Sequence, residues 1–596
     1  MAFKSPSMYY SGVGINPYRA YRGVMKFAVK YGNYARRVIA KICVEPHLIA
    51  LIHFLKGDIM KLLSLCTVLL MLLCGFETPT SASYYIDFSK GLDSNSGISR
   101  TAPWKHCPGM LGIANNAKSH AWASGDTFIF KGGVTWDSSC FPITVGDNSS
   151  ASGFTFKSDP TWYNGSIFTR PNFNVQLKSM GSVIVIHYKN NITWDGFEIH
   201  DQKGVNGVDP ICFDLYCCNK SLFNNLYVHD WHPSGKIGGN QAQVYCNACS
   251  SVTITNNAFV GIDSGGAGIW TGGSLGYNYI IKNNKIDNCN EGIMISAGCE
   301  KSEIAYDTIS RIYQGHFDPT DHTNGIFVYG AGSGTIHHNI VHDVNTMCMW
   351  EAGGKWLVYN NAVYNTGGCQ AANWQSYSSC PSCSLQFYNN YIEGTFIVSQ
   401  RGARIGYMEL RNNVLNGIII GDTITRCIIN NNLYKIDSTT NPSYITTLNG
   451  SLNRFQARAY GWDSTSKFST NPNFNFMGKP LNGRNSPVFR KGMNLYSLST
   501  AKLPNFRLDL AGIKRDSTMI FKWSIGAFEP DSNVSSSTKD PGQSLIKNII
   551  PNKVNLFWTS LFSKGRPQNS PFYFNVEGRK ISTRILASNM GIQNIK

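Results

Sequence analysis

Apolar residues in this chain follow no helical period over most of its length. Between residues 192 and 433 they fall in short alternating runs, each broken by a polar pair, and one unit recurs ten times: apolar, x, Asn, Asn or Asp, x, apolar. It reads Ile192-Thr-Trp-Asp195-Gly-Phe, Phe223-Asn-Asn225-Leu-Tyr, Ile254-Thr-Asn-Asn257-Ala-Phe and Ile281-Lys-Asn-Asn284-Lys-Ile. It continues as Ile304-Ala-Tyr-Asp307-Thr-Ile, Ile336-His-His-Asn339-Ile-Val, Val358-Tyr-Asn-Asn361-Ala-Val, Phe387-Tyr-Asn-Asn390-Tyr-Ile, Leu410-Arg-Asn-Asn413-Val-Leu and Ile429-Asn-Asn431-Asn-Leu. Spacings between copies are 30, 32, 27, 23, 32, 22, 29, 23 and 18 residues. Each unit predicts strand, turn, strand.

One such turn of chain cannot bury its own apolar face. Stacked coils can, because each strand then bonds to the equivalent strand of the next coil and the interior becomes a continuous apolar column. Asn at the corner suits a sharp bend, since it tolerates left-handed backbone angles, and stacked Asn side chains can bond along the column. Ordinary hairpin turns of a sandwich would not space ten copies at about one coil each. The predicted fold is all-β: a single-stranded parallel β-helix closed by an amino-terminal cap. The cap and first coils are expected over Tyr84 to about Asn190, with early strands at Gly125–Gly132 and Phe154–Lys157.

The chain has 596 residues, too many for one ordinary globular core, and its 42% hydrophobic content excludes wholesale disorder. The net charge of +17 is concentrated at the ends: 10 basic against 3 acidic residues up to Ser83, and 9 against 2 from Val534 onward. The body between them holds 34 basic and 31 acidic residues, so no nucleic-acid partner is expected.

Lys61 precedes the apolar run Leu62–Phe76, and small residues follow up to Ser83, the layout of a secretory signal. The expectation is a start at Met60, residues 1–59 as an untranslated extension, a signal over 60–83, and a secreted or cell-surface product with no stable membrane span. The alternative, a membrane anchor behind a basic arm, stands beside it. Fourteen cysteines follow Ser83. Cys107 with Cys140 is an expected bridge, and Cys246-x-x-Cys249 and Cys380-x-x-Cys383 read as local disulfides or buried thiols ahead of a shared zinc site. Residues 531–596 read as a linker and tail that faintly resembles a fragment of a β-sandwich or sorting module.

The repeat, together with Tyr84-Tyr-Ile-Asp87-Phe-Ser-Lys-Gly-Leu-Asp93-Ser-Asn-Ser-Gly97 and Ala102-Pro-Trp104-Lys, resembles secreted right-handed parallel β-helix proteins of the pectate-lyase-like superfamily. Asn485-Ser-Pro487, Asp509-Leu-Ala-Gly512-Ile-Lys-Arg515 and Ile525-Gly-Ala-Phe528-Glu look like the closing segment of such proteins. The resemblance covers about 84–530 and implies a polysaccharide partner and a monomeric chain. It is weak for the reaction, because the superfamily holds lyases, hydrolases, epimerases and proteins without assigned activity.

In such a fold a substrate must lie along an outer sheet, between the longer loops. Asp263-Ser-Gly-Gly-Ala-Gly268-Ile-Trp270, Asn290-Glu291-Gly-Ile and His322-Thr-Asn324-Gly-Ile each place a polar group just before a Gly-Ile strand, and Thr346-Met-Cys-Met-Trp350-Glu351 matches them one coil on. Register would set Glu291 and Asn324 on one side, with Asp263, Asp321, His322 and Glu351 near that rim. The insertion His316-Phe-Asp318-Pro-Thr-Asp321-His322 joins carboxylates that can hold calcium to imidazoles that titrate near neutrality. The expected catalytic set is His322, Asp321, Glu351, Asp263 and Arg401. Trp270, Asn324, Tyr329, Trp350 and Arg404 are expected to bind substrate, and Asp318, Asp321 and Glu291 to hold Ca²⁺. A second polar zone comprises Asp195, His200, Asp201, His229, Asp230 and His232.

Arg401 or Ca²⁺ would stabilise the enolate charge that develops when a uronate polymer is cleaved by elimination. Asn-Thr-Asp, Asp-Asp and Gly-His-Gly patterns of polygalacturonase type do not occur, and neither do the usual basic signatures of the better-known pectate lyases. The first expectation is β-elimination of an acidic glycan. The alternatives are hydrolysis by a carboxylate pair such as Asp263 with Glu351, and glycan binding without turnover.

Overall fold

The computed structural model describes residues 81–530 apart from residues 177–180, 203–209, 233–241, 263–265, 274–275, 297, 314–322, 331, 345, 352–353, 367–371, 376–378, 399–403, 422, 438, 499–502, 504 and 519–520; beyond these it describes only the strands Tyr573–Phe574 and Lys580–Ile581. All but residues 81–83 of the predicted signal segment, and nearly all of the tail, therefore lie outside the described residues. Among the described residues no helix is long and apolar enough to cross a membrane.

The chain winds as a right-handed parallel β-helix with three faces, each a 13-stranded sheet. Every coil contributes one strand to each sheet in turn. In the coil that starts at residue 193, Thr193–Asp195 joins the first sheet, Glu198–His200 the second and Ile211–Tyr216 the third; Leu222–Asn224 then returns to the first. Pairing between coils is parallel and in register, as in Phe223 opposite Trp194 and Ile254. Side chains alternate across each strand, so one set per sheet fills the interior with Ile, Val, Leu and Phe at essentially zero exposure.

The corner between the first and second sheets is a two-residue turn. Its first residue is left-handed, with φ between 52° and 59° at Asn225, Asn256, Asn283, Tyr306, His338, Asn360, Asn389, Asn412 and Asn431. Its second residue forms a buried ladder: Asn257, Asn284, Asp307, Asn339, Asn361, Asn390, Asn413 and Asn432. Asn361 shows the pattern. Its Nδ2 donates to Asn390 Oδ1 at 2.9 Å and to the Ile336 carbonyl at 3.0 Å, while its Oδ1 accepts from Asn339 Nδ2 at 3.0 Å. The stack of Asn side chains expected from the repeat is present, but it begins at Asn257. Asp195 is not a corner residue: it ends a strand, accepts from Asn224 Nδ2 at 2.8 Å, and leaves the turn to Gly196 and Phe197.

The amino-terminal end is closed by a cap around the short helix Asn115–Ser119, whose strand Ser83–Ile86 pairs with Thr127–Gly132 to start the first sheet. The expected bridge between Cys107 and Cys140 is not formed; both are buried thiols in the core. Cys246 and Cys249 are buried thiols as well, whereas Cys380 and Cys383 are joined in a local disulfide. At the other end the segment from Phe474 to Phe528 folds back along the coils. Val488, Leu510, Ile525 and Phe528 pack on Ala362, Tyr391, Val414 and Leu433 of the second sheet. Buried Arg515 is held by Glu529 at 2.5 Å.

Asp307 is the acidic rung. Its Oδ1 accepts from Asn284 N and Nδ2 at 2.7 and 2.9 Å, but Oδ2 occupies the place where neighbouring rungs present an amide donor, and it has no partner. Burial pushes its pKa up to about 7, above the unfolded value. A raised acid favours the folded state below the unfolded pKa and loses that contribution as pH rises through the folded one. Asp307→Asn should therefore stabilise the fold by about 1–3 kcal/mol at pH 8. The gain should vanish near pH 4, as read by denaturant unfolding of both proteins across that range.

Candidate functional site

The connections differ sharply around the coil. From Thr193 onward first-to-second-sheet turns take two residues, but ten residues separate His200 from Ile211 and Trp231 from Ala242, and eleven separate Ile312 from Asn324. These long connections all lead into the third sheet.

Along that face, register builds a column. Asp214 pairs with Tyr245, Tyr245 with Trp270, Trp270 with Met294, Met294 with Phe327 and Phe327 with Met349. Their strand neighbours Phe213, Val244, Ile269, Ile293 and Ile326 are fully buried, so the column's members before Met349 point outward. Tyr245 and Trp270 meet edge to face at 5.5 Å, and Trp270 Nε1 donates to Ser296 Oγ at 3.0 Å, which fixes the indole. Asp214 Oδ2 accepts from Ser182 Oγ at 2.7 Å and lies 3.7 Å from His187 Nε2. Burial alone would raise its pKa, but the His187 and Ser182 contacts outweigh that and hold it below the ordinary carboxylate value. Exposed Tyr216 stands 5.8 Å from the His187 ring and is perpendicular to Tyr188 at 5.2 Å.

The result is a strip of Tyr245, Trp270, Met294 and Phe327 with one ionised carboxylate, Asp214, and one imidazole, His187, at its amino-terminal end. Such a strip can stack sugar rings and accept bonds from their hydroxyls. Asp214, His187 and Tyr245 were not singled out in the sequence. Aligning ICFDLY, AQVYCN and AGIWTG on their buried positions would have placed Asp214 and Tyr245 beside Trp270.

The expected site residues divide. Trp270 and Tyr329 share the outer face, with Tyr329 49% exposed and two residues beyond Phe327 on its strand. Glu291 and Asn324 are brought together as the register implied: Asn324 N and Nδ2 each donate to the Glu291 carboxylate at 3.1 Å. Both sit on the same parity as Ile293 and Ile326 and are buried, so Asn324 turns away from a substrate surface. Glu291 has a structural partner in place of the open coordination sphere expected of a calcium ligand. Trp350 pairs with Val328 and Trp374, and Glu351 with Tyr329. Arg404 belongs to the first sheet, where Nε donates to Thr425 Oγ1 at 3.1 Å, so it does not share a face with Trp270. Asp263, Asp318, Asp321, His322 and Arg401 lie outside the described residues. The second polar zone gathers His200, Asp201, His229 and Asp230 on the outer face of the second sheet.

Two carboxylates that flank a glycosidic bond must stand roughly 5–9.5 Å apart. The strands of Asp214 and Glu351 stand five rungs apart, about 24 Å, and Asp263, the partner expected for Glu351, lies outside the described residues.

A family model described as "Right handed beta helix region" matches residues 219–392. No curated protein matches the chain. Similar solved structures include a GH136 lacto-N-biosidase from Eubacterium ramulus, at 13% identity and TM-score 0.41, with 58% of this chain and 65% of that one covered. Others are pectate lyase Pel9A, at 14% identity and TM-score 0.40 over 76% and 98% of the two chains, and a rhamnogalacturonan lyase, at 14% and 0.37 over 65% and 87%. The chain thus spans 65% of the length of the lacto-N-biosidase. Likenesses this distant say nothing of reaction or substrate.

Because Asn324 and Glu291 are bonded partners in the wall, Asn324→Ala should cost about 2–3 kcal/mol of stability. The measurement is the urea midpoint of wild type and variant.

Proposed function

We propose that this chain is a carbohydrate-active protein that seats a polysaccharide along the outer face of the third sheet and cleaves an acidic glycan there by β-elimination. One observation carries the reading: Asp214, Tyr245 and Trp270 point outward on three consecutive rungs of the sheet entered by the longest connections. Rungs stand about 4.8 Å apart, close to the length of a sugar unit, so a chain lying along the helix axis meets one side chain per residue.

The reaction needs a base for the proton beside the uronate carboxylate and positive charge for the enolate that forms. His322 is proposed as the base, and Arg401 with calcium held by Asp318 and Asp321 as the positive charge. In chain position Asp318, Asp321 and His322 fall within six residues before Asn324, and Arg401 three residues after Val398, both on third-sheet strands. The layout from Lys61 to Ser83 supports export, which would bring the protein to such polymers.

The test is incubation of the purified chain with a polyuronate panel, with and without chelator. Ultraviolet absorbance of unsaturated chain ends is expected, lost on chelation. Trp270→Ala should lower kcat/KM about fivefold, or ~1 kcal/mol of stacking. New reducing ends without that absorbance would replace elimination by hydrolysis, and binding without either product would remove catalysis.

A further inference from the structure

The outer face of the second sheet carries a group of side chains that the glycan strip does not use. Strands Glu198–His200 and Tyr227–Trp231 pair with Tyr227 opposite Glu198 and His229 opposite His200. The two imidazoles stack in consequence, with centroids 5.0 Å apart and planes 8° from parallel. Each is followed by an aspartate in left-handed backbone, φ 61° at Asp201 and 51° at Asp230. That bend turns each carboxylate back onto the preceding ring. Asp201 Oδ2 lies 3.0 Å from His200 Nδ1, and Asp230 Oδ2 lies 2.9 Å from His229 Nδ1. The far nitrogens also meet oxygens: His200 Nε2 is 2.9 Å from Asn172 Oδ1, and His229 Nε2 is 3.2 Å from Glu198 Oε1.

His229 therefore has a carboxylate oxygen at both ring nitrogens. A neutral imidazole offers one N–H and one lone pair, so one of the two contacts sets lone pair against lone pair unless a cation stands between them. A second proton is one such cation. A metal ion is the other. One nitrogen from each ring and one oxygen of Asp230 all lie within 4.8 Å of one another. Two imidazoles and a carboxylate suit an ion of intermediate softness, whereas calcium takes oxygen alone. Bonds of about 2.0–2.2 Å would set these atoms roughly 3.4 Å apart, close to the spacing they already have, with Asp230 Oδ2 2.9 Å from His229 Nδ1 and none of the three beyond 4.8 Å. Asn172 and Glu198 would then be the outer acceptors that fix which nitrogen of each ring keeps its proton.

We propose that His200, His229 and Asp230 bind a divalent transition-metal ion of the zinc type. The site is independent of the glycan-cleaving reading in its residues and its face. It lies where two neighbouring rungs leave the second sheet through ten-residue connections to reach Ile211–Tyr216 and Ala242–Asn247, the strands of Asp214 and Tyr245. A bound ion would tie those rungs together just before the strip is built. His342 with Asp343 supplies an internal comparison: the same Nδ1 to Oδ2 contact at 2.8 Å, the same backbone bend and a ring stacked on a tyrosine, Tyr364 as Tyr227 is for His229, but among the described residues no second imidazole stacks on it.

The full chain, stripped of metal and kept in excess Ca²⁺, is titrated with Zn²⁺ by calorimetry and with Co²⁺ by its visible spectrum. We expect one equivalent bound. His200→Ala and His229→Ala should each weaken it at least about tenfold, and His342→Ala should leave it unchanged. Asp230→Asn changes a half-exposed group and keeps the fold if the histidine variants do not, so it must also weaken binding; circular dichroism of each metal-free variant establishes folding. Absence of zinc binding by the wild type, or equal binding by wild type and Asp230→Asn, overturns the proposal.

Discussion

The constraint on which the molecule depends is the buried amide ladder at the two-residue turn. An asparagine side chain has one acceptor and two donor hydrogens, and in rungs such as Asn361 all of these are used within the stack. A slip of one residue would leave those groups buried without partners and send every apolar side chain of the coil to solvent. The ladder therefore sets the angular position of each coil relative to the next. Once that is set, the inner column of the third sheet and the outer strip of Asp214, Tyr245 and Trp270 are consequences of alternation alone.

Much of this was legible in the sequence because it is local. The Asn-Asn pairs, the alternation around them and the coil spacing fall within a few residues of one another and recur, so fold class and direction of winding followed from pattern and resemblance. The misplacement of Asp195 has a physical cause: the left-handed residue and the ladder residue are adjacent, and where Asn does not fill both, a polar side chain one place earlier looks the same. The site was less legible. Preceding Gly-Ile strands, Glu291 reads from the sequence as a calcium ligand and Asn324 as a substrate-binding residue, but their parity with Ile293 and Ile326 sends them to the inner column. Asp214 and His187 belong to no motif, and what joins them to Trp270 is register between strands tens of residues apart.

The architecture also separates chemistries by face. The third sheet receives the long connections and bears aromatic rings with a carboxylate, whereas the second bears stacked imidazoles with aspartates on its early coils and apolar contacts on its later ones. Identical backbone geometry thus carries three kinds of surface, because a strand's outer residues are excused from packing and only its inner ones must fit the column.

The returning segment changes the character of the array. Stacked coils contact only their neighbours, and such assemblies can fray from an end one unit at a time. Here Asn505 Nδ2 donates to Tyr306 Oη at 2.6 Å, His338 Nε2 lies 3.0 Å from the Leu508 carbonyl, Asn360 donates to the Leu508 and Phe506 carbonyls, and Asn412 donates to the Met493 carbonyl. The clasp meets the left-handed corners, including the two where bulky Tyr306 and His338 replace asparagine. Loosening the last coil alone would therefore require releasing several others at once. A nearest-neighbour zipper becomes a splinted rod whose terminal half melts as a block, while the coils ahead of Tyr306 keep the freedom of an unsplinted stack.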